Sequence, residues 1–429
     1  MQHNKDYHPE TLALHSGYEQ QSPDYSVEVP LYLTNAYAFS SVAHAKNLFS
    51  LSEAGNIYTR LSNPTVDILE KRIAALDGGI GAVAFSSGHA AIFNAILNLA
   101  QAGDEIVSSV RIYGGAINML GVTLKRLGIH VRFVDPSDLN AWENAVNEKT
   151  KAFFFETIGN PNADLSNIAS ISAIAHKHGI PVIADSTFTT PALCCPLAMG
   201  ADFVVHSATK FLSGHGAVMG GLVVDGGSFS FGDNPRFPLY NQPDESYHGL
   251  VYASLGNAAF LARLRSLIMR DVGACLSPFN ALQILYGVET LTLRMERHSQ
   301  NALCVAKFLQ EQKEVDFVHY PLLPQSPDYA LAQKILPKGA GGVLTFGLKG
   351  GKEAGVRFIN SLRLFIHCAN VGDTKSLVIH PATTTHSQLS KEQLEQAGIT
   401  EGTIRLSVGI EQIDDILADL KTAIKQAVD

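Results

Sequence analysis

The sequence predicts an α/β protein built on a mostly parallel β-sheet with helices on both faces. Short apolar segments alternate with helical stretches between residues 82 and 206. Several of these segments are apolar throughout rather than at every second residue, which is typical of strands buried on both faces. The chain of 429 residues is too long for a single core, so we expect two or three domains.

Polar side chains follow the ends of these predicted strands, which span residues 82–85, 105–108, 130–134, 151–156, 180–185 and 203–205. In parallel sheets, ligands bind beyond the carboxyl ends of the strands. The polar residues expected along that edge are Ser87, Tyr113, Asn160, Asp185, Ser207 and Lys210.

Composition excludes several other classes of protein. The formal net charge is −8 and Lys and Arg form no block, which argues against nucleic acid as a partner. Neither a signal peptide nor an apolar run of membrane-spanning length is found, so no membrane association is expected. Five cysteines without a C-x-x-C pair predict neither a disulfide framework nor a metal site, and we expect a reducing cytoplasm.

Three segments are expected along the chain. Residues 1–62 contain prolines and no long periodic helix, which predicts an extended arm that lies on a neighbouring subunit. Residues 63–285 form the large domain, starting with a helix capped by Ser62 or Asn63. Residues 286–429 form a smaller α/β domain, joined by a helical link from about 258 to 297.

An anion site is predicted where residues 82–99 pass from strand through a small-residue turn into a helix, because free N–H groups and the helix dipole meet there. The nearby pattern from Gly79 to Ala84 matches a dinucleotide fingerprint, but its glycines close a helix and precede a strand. That is the reverse of the order which dinucleotide binding requires, so we reject it. Arg60 could also hold a phosphate bidentately, or form a surface salt bridge instead.

The segment from Phe203 to Gly214 places a lysine among hydroxyls at a strand end. If the chain stays extended there, Ser207 and Thr209 point to one side and Lys210 to the other. Hydroxyls beside a lysine suit pyridoxal phosphate, whose chemistry uses a Schiff-base lysine. The alternative is a solvated surface lysine.

A carboxylate closes the apolar strand that ends at Asp185, about 25 residues before Lys210. Burial of a carboxylate is unfavourable unless it is paired, and the pyridine nitrogen of pyridoxal phosphate is a suitable partner. A helix-cap or turn aspartate is the alternative. Asn160 ends another strand and offers an amide to the phenolic oxygen of the ring.

Together these motifs resemble the pyridoxal-phosphate enzymes of cysteine and methionine metabolism, which share the fold (type I) of aspartate aminotransferase. The resemblance extends from Tyr58 to the C-terminus. Its most specific motifs are Ser86-Ser87-Gly88, Ala184-Asp185-Ser186-Thr187, His206-Ser207-Ala208-Thr209-Lys210 and Arg405-Leu406-Ser407-Val408-Gly409. The family usually has Met or Gln where this chain has His89.

The resemblance implies a role for each motif residue. Lys210 would carry the cofactor, Asp185 would pair with the ring nitrogen, and Tyr113 would stack on the ring. In a homo-oligomer, usually a tetramer in this family, active sites would be shared between subunits. Phosphate contacts would come from Ser87, Gly88, His89, Ser207 and Thr209, with Tyr58 and Arg60 of the neighbouring subunit, and substrate contacts from Arg405 and Asn370.

Two regions, 220–249 and 370–386, are most similar to family members that replace the acetyl group of O-acetylhomoserine with sulfide or a small thiol. Cystathionine synthesis and γ-elimination remain alternatives, as does a non-catalytic regulatory protein. Methionine γ-lyases commonly carry a cysteine where this chain has Gly115, which disfavours elimination. His380 and His386 are interpreted as loop histidines rather than metal ligands.

The implied reaction uses Lys210 as the mobile base, which removes a proton from the substrate Cα. A second proton then leaves Cβ, which expels the acyl group from Cγ as its carboxylate. The sulfur nucleophile adds at Cγ, and the protons return in reverse order. Tyr58 or Tyr113 would assist the leaving group, and the sequence does not choose between them.

Overall fold

The computed structural model describes residues 7–19, 25–50, 52–385, 387, 394 and 398–428. The α-helices are α1 Pro9–His15, α2 Val42–Phe49, α3 Pro64–Asp77, α4 Gly88–Leu99, α5 Gly114–Asn118, α6 Leu124–Arg126, α7 Leu139–Ala145, α8 Ile168–Lys177, α9 Thr190–Leu193, α10 Pro238–Asn241, α11 Ala259–Arg263, α12 Arg270–Val272, α13 Pro278–Glu289, α14 Leu291–Gln310, α15 Tyr329–Ile335, α16 Gly351–Ser361 and α17 Ile413–Val428. The strands are β1 Gly81–Phe85, β2 Glu105–Ser109, β3 His130–Val134, β4 Thr150–Glu156, β5 Val182–Asp185, β6 Phe203–His206, β7 Gly221–Asp225, β8 Val315–His319, β9 Val343–Leu348, β10 Ile366–His367, β11 Leu377–Ile379 and β12 Thr403–Ser407.

Seven strands form the large sheet in the order β1-β7-β6-β5-β4-β2-β3. Strands β2 to β6 pair in parallel, whereas β7 runs antiparallel to both β1 and β6. The carboxyl ends of β1, β2, β4, β5 and β6 therefore meet at one edge of the sheet. This arrangement confirms the mostly parallel α/β fold.

Strand β4 shows why the predicted strands are apolar throughout. Phe153 and Phe155 lie in the core on one face of the sheet, with Trp142, and Phe154 lies in the core on the other face. All three phenylalanines are fully buried. Because both faces of the sheet are covered, β4 does not alternate between polar and apolar residues.

The second sheet contains five strands in the order β10-β11-β12-β9-β8. Strand β12 runs antiparallel to its neighbours β11 and β9, and this pairing holds Arg405 opposite Ile379 and Thr345. The expected boundary at residue 285 falls inside α13, so the proposed division into segments stays a prediction.

Three expectations about local structure are wrong. Residues 9–15 of the arm form helix α1 rather than an extended strand, and Leu12 and Ala13 are buried by packing on α3 and α13 of the same chain. The expected helical link is interrupted at 273–277, where Gly273 has a φ of 78°. Strand β7 lies within residues 220–249, for which no strand is predicted from the sequence.

The predicted cap at the start of α3 is confirmed for Asn63. Its Oδ1 accepts a hydrogen bond from the Thr65 N–H at 3.0 Å, and its Nδ2 donates to the Tyr32 carbonyl at 2.9 Å. The side chain is 1% exposed. Asn63 therefore joins the N-terminal segment to the large domain.

We expect Asn63→Ala to lower the free energy of unfolding by about 1–2 kcal/mol, because it removes a cap and leaves buried polar groups without partners. Chemical denaturation of the purified variant measures this loss. Ser41→Ala is the control, since Ser41 also caps a helix but is exposed. Equal losses in the two variants would contradict a special contribution from burial.

Candidate active site

A cavity of about 290 Å³ lies between the carboxyl edge of the large sheet and the loops of the small one. All the predicted site residues line it except Tyr58 and Arg60. The lining residues are Ser87, Gly88, His89, Ile92, Tyr113, Glu156, Ile158, Asn160, Asp185, Thr187, Phe188, Ser207, Thr209, Lys210, Met219, Ala369, Asn370, Val371, Thr385 and Arg405.

One end of the cavity has the features of a phosphate site. The Ser87 side chain caps α4 by accepting from the Ala90 N–H at 3.1 Å. The amides of Gly88 and His89 belong to the first turn, whose N–H groups have no partner within a helix. A Cβ on Gly88 would lie only 2.6 Å from the Cβ of Ser207, so glycine is needed for this close approach.

The segment after β6 is turned rather than extended, which corrects the conditional expectation about side-chain directions. The Lys210 N–H donates to the Ser207 carbonyl at 3.1 Å, and the Gly214 N–H donates to the Lys210 carbonyl at 2.8 Å. Ser207, Thr209 and Lys210 all line the cavity nevertheless. The Thr209 hydroxyl also holds the Gly220 backbone, accepting from its N–H at 3.1 Å.

Asp185 ends β5 and is 7% exposed. Burial raises the pKa of its carboxyl, while hydrogen bonds from Thr187 and the charges of His206 and His89 oppose that rise. The Thr187 N–H donates to Oδ1 at 2.9 Å, and the Thr187 hydroxyl accepts from the Ser207 N–H at 2.8 Å. Thr187 thus links the carboxylate to the proposed phosphate site, a connection that the sequence analysis missed.

The two cations of the cavity, Lys210 and Arg405, come from segments of different sheets: Lys210 follows β6, and Arg405 lies in β12. Burial and the charge of Arg405 lower the pKa of Lys210 to about 8, and burial lowers the pKa of Arg405 to about 10. The Lys210 Nζ donates to the Asn370 side chain at 2.6 Å. Arg405 donates to the Asn160 side chain at 3.0 Å and to the Asn370 carbonyl at 3.3 Å.

Arg405 has the environment expected of a carboxylate clamp. The residue is 3% exposed, and among the described residues no carboxylate lies within ion-pair distance of it. A guanidinium has five N–H donors, of which the two hydrogen bonds above use two. The remaining donors leave it able to bind an anionic group that enters the cavity.

Tyr113 lies beside His89, with their rings edge to face and centroids 5.6 Å apart. A Cβ on Gly115 would lie 2.6 Å from the Cε1 of Tyr113 and 3.1 Å from the Cε1 of His89. A cysteine at this position would therefore force the tyrosine ring to move. His89 is among the residues that line the cavity.

Glu156 is a site residue that the sequence analysis missed. It ends β4, is 8% exposed, and accepts a hydrogen bond from the Tyr113 N–H at 2.7 Å. A carboxylate that closes an otherwise apolar strand is the signal that identified Asp185, and it could have identified Glu156 as well.

Tyr58 and Arg60 do not line the cavity of their own chain. The Arg60 guanidinium lies over the Tyr58 ring at 5.6 Å, and 42% of Tyr58 is exposed. Their expected role toward a neighbouring subunit stays a prediction.

His380 hydrogen-bonds through both ring nitrogens, to the Thr383 hydroxyl at 2.9 Å and the Glu401 carbonyl at 2.7 Å, as expected of a loop histidine. His386 lies outside the described residues. Within the described ranges no cluster of three or more His, Cys, Asp and Glu could hold a metal. The helices described there are all too short or too polar to cross a bilayer.

The cavity fits pyridoxal phosphate. Asp185 is a buried carboxylate that forms no ion pair among the described residues, so a protonated ring nitrogen would supply its missing partner. The helix N-terminus beside Gly88 suits the phosphate. Lys210, with its lowered pKa, offers an amine to the aldehyde.

Comparison with known proteins gives similarity over nearly the whole chain. An O-acetyl-L-homoserine sulfhydrylase of Leptospira meyeri is 50% identical, covering 98% of this chain and 97% of that protein. One from Thermus thermophilus is 50% identical, covering 97% and 99%. The homocysteine synthase of Schizosaccharomyces pombe is 46% identical, covering 98% and 99%.

A solved structure is also closely similar. It is a Campylobacter jejuni protein described as an O-acetylhomoserine (thiol)-lyase, which contains N'-pyridoxyl-lysine-5'-monophosphate. The TM-score is 0.96 at 44% identity, covering 98% of this chain and 100% of the other. The model of the Cys/Met metabolism PLP-dependent enzymes matches residues 10–425. The chain therefore belongs to the Cys/Met metabolism family of enzymes that depend on pyridoxal phosphate.

Proposed function

We propose that this enzyme replaces the acetyl group of O-acetyl-L-homoserine with sulfide or a small thiol, giving homocysteine or methionine and acetate. The observation that carries the proposal is the buried Arg405, which has no carboxylate partner among the described residues and lies close to Lys210. An amino-acid carboxylate bound there would lie beside the base that removes its Cα proton. The names of the relatives support the choice of substrate.

Bound pyridoxal phosphate supplies an electron sink that acidifies the substrate Cα–H and Cβ–H bonds. The protein supplies the groups that orient and deprotonate the substrate. Asp185 would keep the ring nitrogen protonated, and the Asn160 amide would lie near the phenolic oxygen. The Gly88 and His89 amides, with Ser87, Ser207 and Thr209, would hold the phosphate.

Proton transfer is assigned to Lys210. Its pKa of about 8 leaves a substantial neutral fraction near neutral pH, so Nζ can accept the Cα proton and return it later. Its hydrogen bond to Asn370 would hold the amine in place. Tyr113, or Tyr58 of a neighbouring subunit, would donate a proton to the departing acetate.

The cavity favours a sulfur donor without a carboxylate of its own. Among the described residues that line it, Arg405 is the only arginine, and the carboxylate of the homoserine derivative would occupy it. Cysteine as the donor would need a second clamp, which disfavours cystathionine synthesis. Gly115, which lies against Tyr113 and His89, disfavours the arrangement of the cysteine-containing γ-lyases.

A homo-oligomer completes the proposal. Tyr58 and Arg60 lie outside their own cavity and are proposed to reach the phosphate site of a neighbouring subunit, in a dimer of dimers. A cytoplasmic location is proposed as well, because all five cysteines are free thiols.

Product analysis tests this function. The enzyme is supplied with O-acetyl- or O-succinyl-homoserine, each with sulfide, methanethiol or cysteine. We expect homocysteine and acetate from the acetyl ester with sulfide. Release of 2-oxobutyrate without any thiol would instead indicate γ-elimination, and the absence of a spectral change on adding O-acetylhomoserine would indicate a non-catalytic protein.

The pKa of Lys210 predicts a pH dependence for cofactor capture by the apoprotein. The neutral amine attacks the aldehyde, and a pKa lowered to about 8 makes this form appear at lower pH than in a free lysine. The rate should rise about tenfold between pH 7 and pH 9. Arg405→Met should move the midpoint upward, because the nearby positive charge is lost; the exposed Arg297→Met is the control. A midpoint that stays unchanged in Arg405→Met would contradict the assigned cause.

Asp185→Ala should reduce kcat far more than Tyr113→Phe does, since only the former removes the partner of the ring nitrogen. A loss of at least a hundredfold, about 2.7 kcal/mol of barrier, is expected for Asp185→Ala. Steady-state rates at saturating cofactor measure both variants. Equal, mild losses would remove Asp185 from its role.

A further inference from the structure

Glu156 connects two loops that contribute to opposite parts of the active site. It accepts hydrogen bonds from the backbone N–H of Tyr113, which follows β2, and from that of Asn160, which follows β4. Its own position is fixed by strand β4, an inner strand of the sheet between β5 and β2. A shift of this one carboxyl would therefore move both residues proposed to contact the ring.

Glu156 also lies beside Asp185. The two residues are paired in register at the ends of the parallel strands β4 and β5, and both are less than 10% exposed. The charged groups that line the same cavity are Arg405 and Lys210, with His89 beside Tyr113. Two ionised carboxylates in such a buried pair repel each other, so retention of one proton is favoured.

We propose that Glu156 is a positioning residue that holds the Tyr113 and Asn160 loops as a neutral carboxylic acid, which leaves Asp185 as the ionised partner of the cofactor ring. This inference rests on the site roles proposed above but does not depend on the identity of the sulfur donor.

The protonation states follow from the surroundings of the two acids. Burial, followed by the negative charge of Asp185, raises the pKa of Glu156 well above its usual range. Burial raises the pKa of Asp185 as well, but its hydrogen bonds from Thr187 and the charges of His206 and His89 oppose that rise. A carboxylic acid still accepts N–H bonds through its carbonyl oxygen, so Glu156 can keep its loop contacts without a charge.

Three variants distinguish the effect of the charge of Glu156 from the effect of its side-chain length. Glu156→Gln keeps the length and a carbonyl acceptor but cannot ionise. Glu156→Asp keeps an acid but is one methylene too short for the 2.7 Å contact with Tyr113. Glu156→Ala removes the acceptor altogether. Each holoenzyme is examined for pyridoxal phosphate affinity, for circular dichroism of the bound cofactor, and by infrared difference spectroscopy against the wild type at pH 8.

We expect Glu156→Gln to bind pyridoxal phosphate within about threefold of the wild type, and Glu156→Asp and Glu156→Ala to bind it at least tenfold more weakly. Among the three variants, only Glu156→Gln should keep the circular dichroism of the bound cofactor. This signal depends on how the Tyr113 side chain is oriented relative to the cofactor ring. The infrared difference for Glu156→Gln should show the loss of a protonated-carboxyl band. Glu296→Gln, which alters an exposed glutamate, is the control.

Two results would overturn the inference. One is equal affinity for pyridoxal phosphate in Glu156→Asp and the wild type, because a positioning role requires a side chain long enough to contact the Tyr113 N–H. The other is the loss of a carboxylate band rather than a protonated-carboxyl band in Glu156→Gln, because the acid would then be ionised. If Glu156→Ala does not fold, the other two variants still decide. These readouts use no substrate, so a failure of the proposed reaction in product analysis is recognised separately.

Discussion

The site depends on the alignment of strand ends at one edge of the large sheet. Parallel pairing brings the last residues of β4 and β5 side by side, and both are acids. Two ionised carboxylates in that buried position would repel each other, so retention of one proton is favoured and the other acid needs a cationic partner. In the bound state the protonated cofactor ring would be that partner.

The cations face a related constraint. Arg405 is buried and Lys210 is half-buried, and each hydrogen-bonds to Asn370 without forming an ion pair among the described residues. Such cations are poorly stabilised until an anion enters. Because Lys210 and Arg405 meet at Asn370, an anion that binds one of them would also lower the electrostatic cost of burying the other.

Most of the fold and most of the site could be predicted from local patterns. Apolar strands ending in polar residues located Asp185, Asn160 and Lys210 correctly. The same reasoning overlooked Glu156, because this residue was counted as the last residue of a strand. It was not included among the polar residues at the carboxyl edge of the sheet. The role of Thr187 could not be predicted, since it depends on which backbone groups lie nearby in space.

Strand direction and tertiary packing account for the other features that could not be predicted from the sequence. An apolar segment such as β7 carries no signal of whether it runs parallel or antiparallel to its neighbours. Helix α1 is short, and tertiary packing of Leu12 and Ala13 on the large domain stabilises it more than its own propensity does.

Strand β7 has a consequence for how the protein assembles during synthesis. Strand β1 lies at the edge of the large sheet, where its neighbouring strand is β7. A nascent chain that ends before residue 221 therefore offers β1 no partner, although the turn that follows β1 is already present. Closing the intervening loop carries an entropic cost, and contacts between such distant segments form late. More than half of the chain must therefore be synthesised before β1 can pair with β7 in the large sheet.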